Sequence, residues 1–400
     1  MSASTRGLSL MLGLLMTTAI FGVDVILPGL PVAAAELDVR SGSAQLATTF
    51  ALLGFGLGQL PVGFLADRFG RVRIVLGGLL LFGLSGLGAY LAESLPLFLG
   101  CRLLQGLGAA APTLLARVIV RDIALGREAG RILSTMEAIL ATVTIGAPAL
   151  GGLLVDVSGW RTAYLSISLY GLAMLLLVWR TLPETEPCRR QLGAPWHQLR
   201  SSLSAFLSSP QSLLAGLLFS LSFGGFMAFV TNGASLAIEV YHVSPAGFGV
   251  WFAAIAATHL LGALGNRRWI PRFGITGMLR IGAAIVGLAG LALLGLALHP
   301  GPPLVLIWLA LAINAISFSI LMPTCTAAAL DPLPNTAGFT LAICGTLQAA
   351  VAAVLSGLVA QLYDHSHLGL CAVVGGTGVS LCLLAYLGRS CIVEKAAAIT

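Results

Sequence analysis

The sequence predicts an all-α membrane protein of twelve transmembrane helices in two six-helix bundles, and three observations carry that expectation. First, 58% of the 400 residues are hydrophobic and 9% are charged. A water-facing surface needs about a quarter charged residues, so the solvent of this chain is lipid. Second, the apolar residues fall into runs of about 20, the length that crosses a bilayer as a helix. Third, Lys and Arg collect in alternate gaps between these runs, the pattern that fixes orientation in a membrane.

Taken in order, the apolar runs are 8–34, 43–66, 73–92, 96–119, 131–155, 160–180, 211–236, 246–266, 276–298, 303–326, 337–362 and 367–389. The first begins after Arg6 and is longer than the core of a cleaved signal. It also contains Asp24, Pro28 and Pro31, so a retained span is expected. Gaps such as Glu36-Leu37-Asp38, Asp67 to Arg71 and Arg267 to Pro271 carry loop chemistry. Residues 181–209 are polar and rich in Pro and Arg. They are expected to link an N-terminal bundle, 1–180, to a C-terminal bundle, 210–400, as in two structural repeats.

The net charge is +6. With the N-terminus inside, eighteen of the 21 Lys and Arg fall on the inner side, which places both termini in the cytoplasm. The basic excess therefore reads as topology, and no nucleic acid is expected as a partner. The 49 glycines suit close helix packing in lipid. The seven cysteines form no C-x-x-C pair, and Asp364 to His367 is a short loop without further ligands, so neither metal nor cofactor is expected.

Ionisable residues inside a span are costly and usually face a protein-lined or wet interior. Asp24 lies seven residues before Pro31, and Arg102 six residues after Pro96. Each is thus roughly 9–10 Å from the outer end of its helix at 1.5 Å per residue. Similar depth permits mutual charge compensation. Arg keeps its charge, whereas a carboxylate gains or loses a proton as its surroundings change. Asp24 is thus the candidate for alternately holding a proton and a substrate, against a purely structural pairing of helices 1 and 4. Gln105 shares the Arg102 face at i+3 and is a candidate to hydrogen-bond substrate, or else to satisfy a neighbouring helix. Asn232, Asn314 and Gln348 are candidates for ligand contact or for helix–helix hydrogen bonding. Glu137 and His259 are open candidates for a proton path, against ion pairing near the helix end for Glu137 and core packing for His259. Pro28, Pro31, Pro148 and Pro323 weaken their helices as hinges or static kinks.

The loop Gly63-Phe64-Leu65-Ala66-Asp67-Arg68-Phe69-Gly70-Arg71-Val72-Arg73 resembles the G-x-x-x-D-R-x-G-R signature of the major facilitator superfamily. Asp24 to Pro31 resembles D-x-x-L-P-x-x-P, Arg102 to Ala109 resembles R-x-x-Q-x-x-G-A, and Arg117 to Asp122 resembles R-x-x-x-R-D. Gly159-Trp160-Arg161, Pro183-Glu184-Thr185 and Ala147-Pro148-Ala149-Leu150-Gly151-Gly152 complete a set similar to the bicyclomycin/chloramphenicol-resistance branch of the twelve-span drug:proton antiporters. Two departures stand out: Val72 replaces a basic residue, and Ala147 replaces Gly. The second half matches mainly in span pattern.

The resemblance implies the major facilitator fold and no enzyme activity. It implies a monomeric, proton-coupled exporter of small lipophilic compounds in the bacterial inner membrane, working by alternating access. Asp24 and Arg102 would couple protons, and a drug cavity would lie between the halves. Gly63, Asp67, Arg68, Gly70, Arg71, Arg73, Pro148, Gly151 and Gly152 would serve conformational gating. Export of an endogenous metabolite, such as a siderophore, amino acid or sugar derivative, stays open as the alternative, and a membrane-embedded enzyme or sensor as a remote one, which would need catalytic residues clustered around His259.

Overall fold

The computed structural model describes residues 3–124, 126–184, 195–333 and 337–391, and among them there are helices and turns but no strand. In lipid every backbone N–H and C=O must be satisfied within the segment, which leaves the helix as the economical way to cross. The helices are α1 (Ala3–Asp24), α2 (Leu30–Glu36), α3 (Ser41–Phe69), α4 (Arg71–Tyr90), α5 (Leu95–Ile123), α6 (Gly126–Ser158) and α7 (Arg161–Thr181). There follow α8 (Pro195–Ser208), α9 (Pro210–Ser235), α10 (Pro245–Leu298), α11 (Leu304–Leu330), α12 (Ala337–Leu362) and α13 (Leu368–Leu387).

Ten stretches among the described residues are long and apolar enough to cross a membrane. Two further facts recover the expected twelve spans. The 29-residue α3, interrupted by Gln45, Thr48, Thr49 and Gln59, is long enough to cross, and the 54-residue α10 contains two of the apolar runs. The helix bends between those runs at Gly274, whose φ of 63° and ψ of −179° lie where side chains are not tolerated. The linker expected at 181–209 contains a 14-residue helix, α8, which its Pro and Arg content conceals.

The first span is broken. α1 stops at Asp24, a 3-10 turn covers Leu27–Gly29, and α2 starts again at Leu30. Pro28 and Pro31 sit in the first turns of the two restarting segments, where their missing N–H costs nothing. Between them the backbone stays near the helical region, with Ile26 at φ −89°, ψ −16° and Gly29 at φ −86°, ψ −14°, so the span tightens into the 3-10 turn without unwinding. Pro148 and Pro323, in contrast, lie inside the continuous helices α6 and α11.

The chain forms two compact units. One comprises Met1–Leu192 with Gly233–Ala253, and the other Gly193–Asn232 with Ala254–Thr400. Each has its own apolar core, with Leu12, Leu15, Val75, Leu115 and Ile119 in the first and Phe206, Leu218, Leu321 and Leu381 in the second. The helices meet at seams of small residues. On α3, a Cβ at Gly54 would collide with the Leu103 carbonyl of α5, and one at Gly58 with Ala110. On α5, a Cβ at Gly106 would collide with the Ala51 carbonyl. In the second unit Gly290 of α10 and Gly375 of α13 approach backbone to backbone in the same way. Without a hydrophobic drive between helices in lipid, such close van der Waals contact is what holds a bundle together. Rows of exposed leucines, Leu80, Leu84 and Leu87 on α4 for example, face outward as a lipid-facing surface should.

Candidate functional site

In the first unit the candidate site gathers around the break in the first span. Asp24, 5% exposed, is the last residue of α1. Its carboxylate makes no hydrogen bond or ion pair with any described residue. Arg102 of α5 is wholly buried and has other partners. The Arg102 Nη1 donates to the Gly22 carbonyl at 3.1 Å and to the Gln105 side-chain oxygen, and its Nε donates to the Ala47 carbonyl at 3.2 Å. The guanidinium also lies 5.6 Å from the centre of the Tyr164 ring of α7. One arginine therefore ties α5 to α1 and α3.

Several polar atoms in this region are buried with no partner among the described residues. They include Arg102 Nη2, Gln105 Nε2, the Tyr164 hydroxyl, and the side-chain atoms of Gln45, Thr48 and Thr49. Native interiors pair nearly all such atoms with protein or ordered water. The break itself is held by α6: a Cβ at Gly151 would collide with the Val25 carbonyl, directly after Asp24. The neighbouring Gly152 allows equally close approach of the Pro245 carbonyl, and Gly249 packs on Ala149. At the end of α2, Glu36 accepts a hydrogen bond from the Trp160 indole at 2.6 Å and pairs with Arg161.

At the opposite end of the same helices lies a charge cluster. Gly70, with φ of 99°, makes the turn between α3 and α4. Its conformation is one that glycine takes and side chains resist. Arg71 pairs with Asp122 at the end of α5, so the loop motif and the R-x-x-x-R-D motif meet. Glu184, just after α7, accepts hydrogen bonds from the backbone N–H groups of Arg71 at 2.8 Å and Val72 at 3.2 Å. A carboxylate at the start of α4 satisfies orphan donors and complements the helix dipole. Arg68 is exposed and lies over the Phe69 ring, 5.3 Å from its centre, and Arg73 is exposed. The Asp67 side chain lies outside the described residues. Gly63 has open space where a Cβ would be, unlike Gly70, Gly151 and Gly152. Glu137 pairs with Arg117 at 3.4 Å, with both side chains about half exposed.

The second-unit candidates lie on four different helices. Asn232 of α9 donates to the Ala228 carbonyl of its own helix at 2.8 Å and to the Ser356 carbonyl of α12 at 3.4 Å. That is helix–helix hydrogen bonding, while its Oδ1 has no partner among the described residues. Asn314 and Gln348 are buried on α11 and α12. His259 on α10 packs within an aromatic cluster, its ring 5.3 Å from that of Phe318 and 6.3 Å from that of Phe226.

Sequence reasoning missed Glu184 as the cap of α4, Tyr164 beside Arg102, and the aromatic cluster around His259. The P-E-T exit was the available signal for Glu184, but its partners lie more than a hundred positions away. Aromatic residues on separate helices leave no joint signature in a single sequence.

The profile of the Major Facilitator Superfamily matches residues 12–357. A "Bicyclomycin resistance protein homolog" of Haemophilus influenzae is 31% identical over 388 residues, 94% of each chain. "Multidrug resistance protein D" of Escherichia coli is 28% identical over 405 residues, 94% of this chain and 95% of its own. Among solved structures, the inward open conformation of the xylose transporter XylE from E. coli superposes with a TM-score of 0.75 at 17% identity, over 99% of this chain and 98% of its own. This chain belongs to the major facilitator superfamily, in its drug:proton antiporter branch. It is a multi-pass membrane transporter that binds a small-molecule substrate, and it is not an enzyme.

Proposed function

We propose that the protein exports small, lipophilic compounds in exchange for protons, by alternating access. The observation that carries this reading is Asp24: a buried carboxylate, at a break in a span, with no partner among the described residues. An unpaired buried charge is expensive, and a carboxyl in that position sheds the cost by holding a proton. Where the site opens to water or to a cationic or donor-bearing ligand, the carboxylate form becomes affordable. One group then binds proton and substrate in turn, which is the elementary requirement of exchange. Arg102 is the second member, holding the α1 backbone two residues away and offering Nη2. Gln105 sets the Arg102 side chain, and Asn232, Asn314 and Gln348 are offered as substrate contacts.

In the same reading, Gly63, Asp67, Arg68, Gly70, Arg71 and Arg73 form the gating turn, with Pro148, Gly151 and Gly152 closing on the opposite side. Residues 1–180 and 210–400 form the two repeats, joined through 181–209. The protein works as a monomer in the bacterial inner membrane with both termini cytoplasmic. The relatives named for bicyclomycin and multidrug resistance support a drug-like cargo.

The test is efflux of a fluorescent dye from membrane vesicles carrying an imposed pH gradient. The intact protein should drive dye against its gradient, and collapse of the pH gradient should stop it. Asp24→Asn should insert and fold normally yet lose driven transport. Undiminished proton-driven transport by that variant would refute the role.

A further inference from the structure

We infer that the protein holds one anionic phospholipid in a groove on its lipid-facing surface, between α4 and α7. An acyl chain lies on Leu76, Leu175, Leu176 and Trp179, and the headgroup on Arg180 and Arg73. This goes beyond the transport reading and depends only on the protein's place in a bilayer. Three observations define the seat.

The first is a cavity. A groove of about 230 Å³ lies between the two helices, lined by Leu76 of α4 and by Leu175, Leu176 and Trp179 of α7. Its surface is wholly apolar. Leu76 and Leu175 are half-buried and form a floor, while Leu176 and Trp179 are exposed. Gly77, the residue after Leu76, has nothing within reach of a Cβ and adds no bulk at this level. An apolar recess open to lipid suits a length of acyl chain, and tryptophan favours the level at which headgroups begin.

The second is register. α4 and α7 run antiparallel, with Gly83 against Leu172 and Gly86 against Ser168, whose hydroxyl donates to the Gly83 carbonyl at 2.8 Å. Seven residues further along each helix from the Gly83–Leu172 contact come Leu76 and Trp179, so the groove lies at one level. Arg73 is three residues beyond Leu76, and Arg180 one beyond Trp179. At 1.5 Å per residue the two arginines differ in depth by about 3 Å. Each also ends an exposed stripe: Leu84, Leu80 and Arg73 on α4, and Leu169, Leu176 and Arg180 on α7. The steps of four and seven keep each stripe on one helix face.

The third is charge. Arg73 and Arg180 are both exposed, and Arg180 makes no hydrogen bond or ion pair with any described residue. At the start of α4 the carboxylates of Asp122 and Glu184 are turned to Arg71 and to the Arg71 and Val72 N–H groups. A guanidinium at headgroup depth attracts a phosphate and can meet it through two hydrogen bonds. A zwitterionic headgroup has a phosphate too, but the same arginines repel its ammonium. The seat therefore selects net negative charge.

Native mass spectrometry of the full-length protein in detergent tests this. Phosphatidylglycerol and phosphatidylcholine of identical chains are titrated separately. Phosphatidylglycerol should add as one high-affinity step, about tenfold tighter than phosphatidylcholine. Arg180→Gln should cut that preference to about twofold, and Arg180→Lys should keep most of it. Leu76→Trp fills the groove, leaves both arginines, and should abolish the single step. Arg267→Gln, at an exposed arginine of the second unit, should change nothing. Glycerol 3-phosphate at the same concentration should displace no lipid.

Equal affinity for the two lipids in the intact protein, or graded addition with no first step, overturns the inference; that arm needs no variant to fold. So does a folded Arg180→Gln variant with the full preference, or a folded Leu76→Trp variant with the step intact. An equal fall in Arg267→Gln would mean a general charge effect and no seat. Displacement by glycerol 3-phosphate would mean a site for free phosphate and would likewise overturn it.

Discussion

The Arg102 guanidinium holds the Gly22 carbonyl at 3.1 Å, while the Asp24 carboxylate, two residues further along the same helix, is not among its partners. The reason is helical: positions two apart point about 200° away from each other at 3.6 residues per turn. Helix phase thus turns the Asp24 position away from the side on which Arg102 meets α1. The first prediction follows. In a double-mutant cycle on stability, Asp24→Asn and Arg102→Met should be additive to within about 0.5 kcal/mol. Arg102→Met alone should cost about 1.5–3 kcal/mol for each charged hydrogen bond lost to a carbonyl. Denaturation of the purified protein measures both, and a coupling energy well above 1 kcal/mol would show a direct pair instead.

Glycines of the two motifs proposed to gate should respond differently. A Cβ at Gly151 runs into the Val25 carbonyl, whereas one at Gly63 meets nothing. Gly151→Val should therefore displace the break after Asp24, costing about 1–3 kcal/mol or more, and reduce transport along with stability. Gly63→Ala should stay within about 0.5 kcal/mol of the parent. Thermal unfolding of the two variants side by side decides it, and equal losses would contradict the packing described here.

Glu184 should be worth a helix cap. Glu184→Ala strips the acceptor from the Arg71 and Val72 N–H groups, and a loss of about 0.5–2 kcal/mol is expected. Glu184→Gln keeps an acceptor and should recover part of it. Hydrogen exchange at the first turn of α4 should speed up in the alanine variant and less so in the glutamine one.

The Arg71–Asp122 pair should tolerate exchange of its two charges better than either reversal alone. Arg71→Asp and Asp122→Arg each place like charges together, and the double variant restores an opposite pair. Dye efflux of the double variant should exceed that of both singles. A double variant no better than its parents would mean that each residue acts through other neighbours.

The sequence revealed the parts of the fold that depend on local chemistry. Apolar run length marked the spans, Pro28 and Pro31 marked the break in the first one, and Gly70 marked the turn before α4. It failed where the outcome depends on distant partners. α8 lies in a stretch whose Pro and Arg content reads as linker, and Gln45, Thr48 and Thr49 gave no sign that they would be buried. Asp24 and Arg102 were both legible as costly intramembrane charges. Their separation was not, because the relative rotation of two helices is set by the small-residue seams between them. Asn232 shows the same limit, since its amide reaches a carbonyl of α12 more than a hundred residues away.

The joint at Gly274 has a mechanical consequence. Residues 254–273 and 275–298 are connected by a single bent residue and no slack loop, so they behave as a crankshaft and not as beads on a string. Torque applied to one arm passes to the other. A flexible insert of Gly and Ser at this point should leave each arm inserted but uncouple the two, so that dye efflux falls while the amount of protein in the membrane is unchanged.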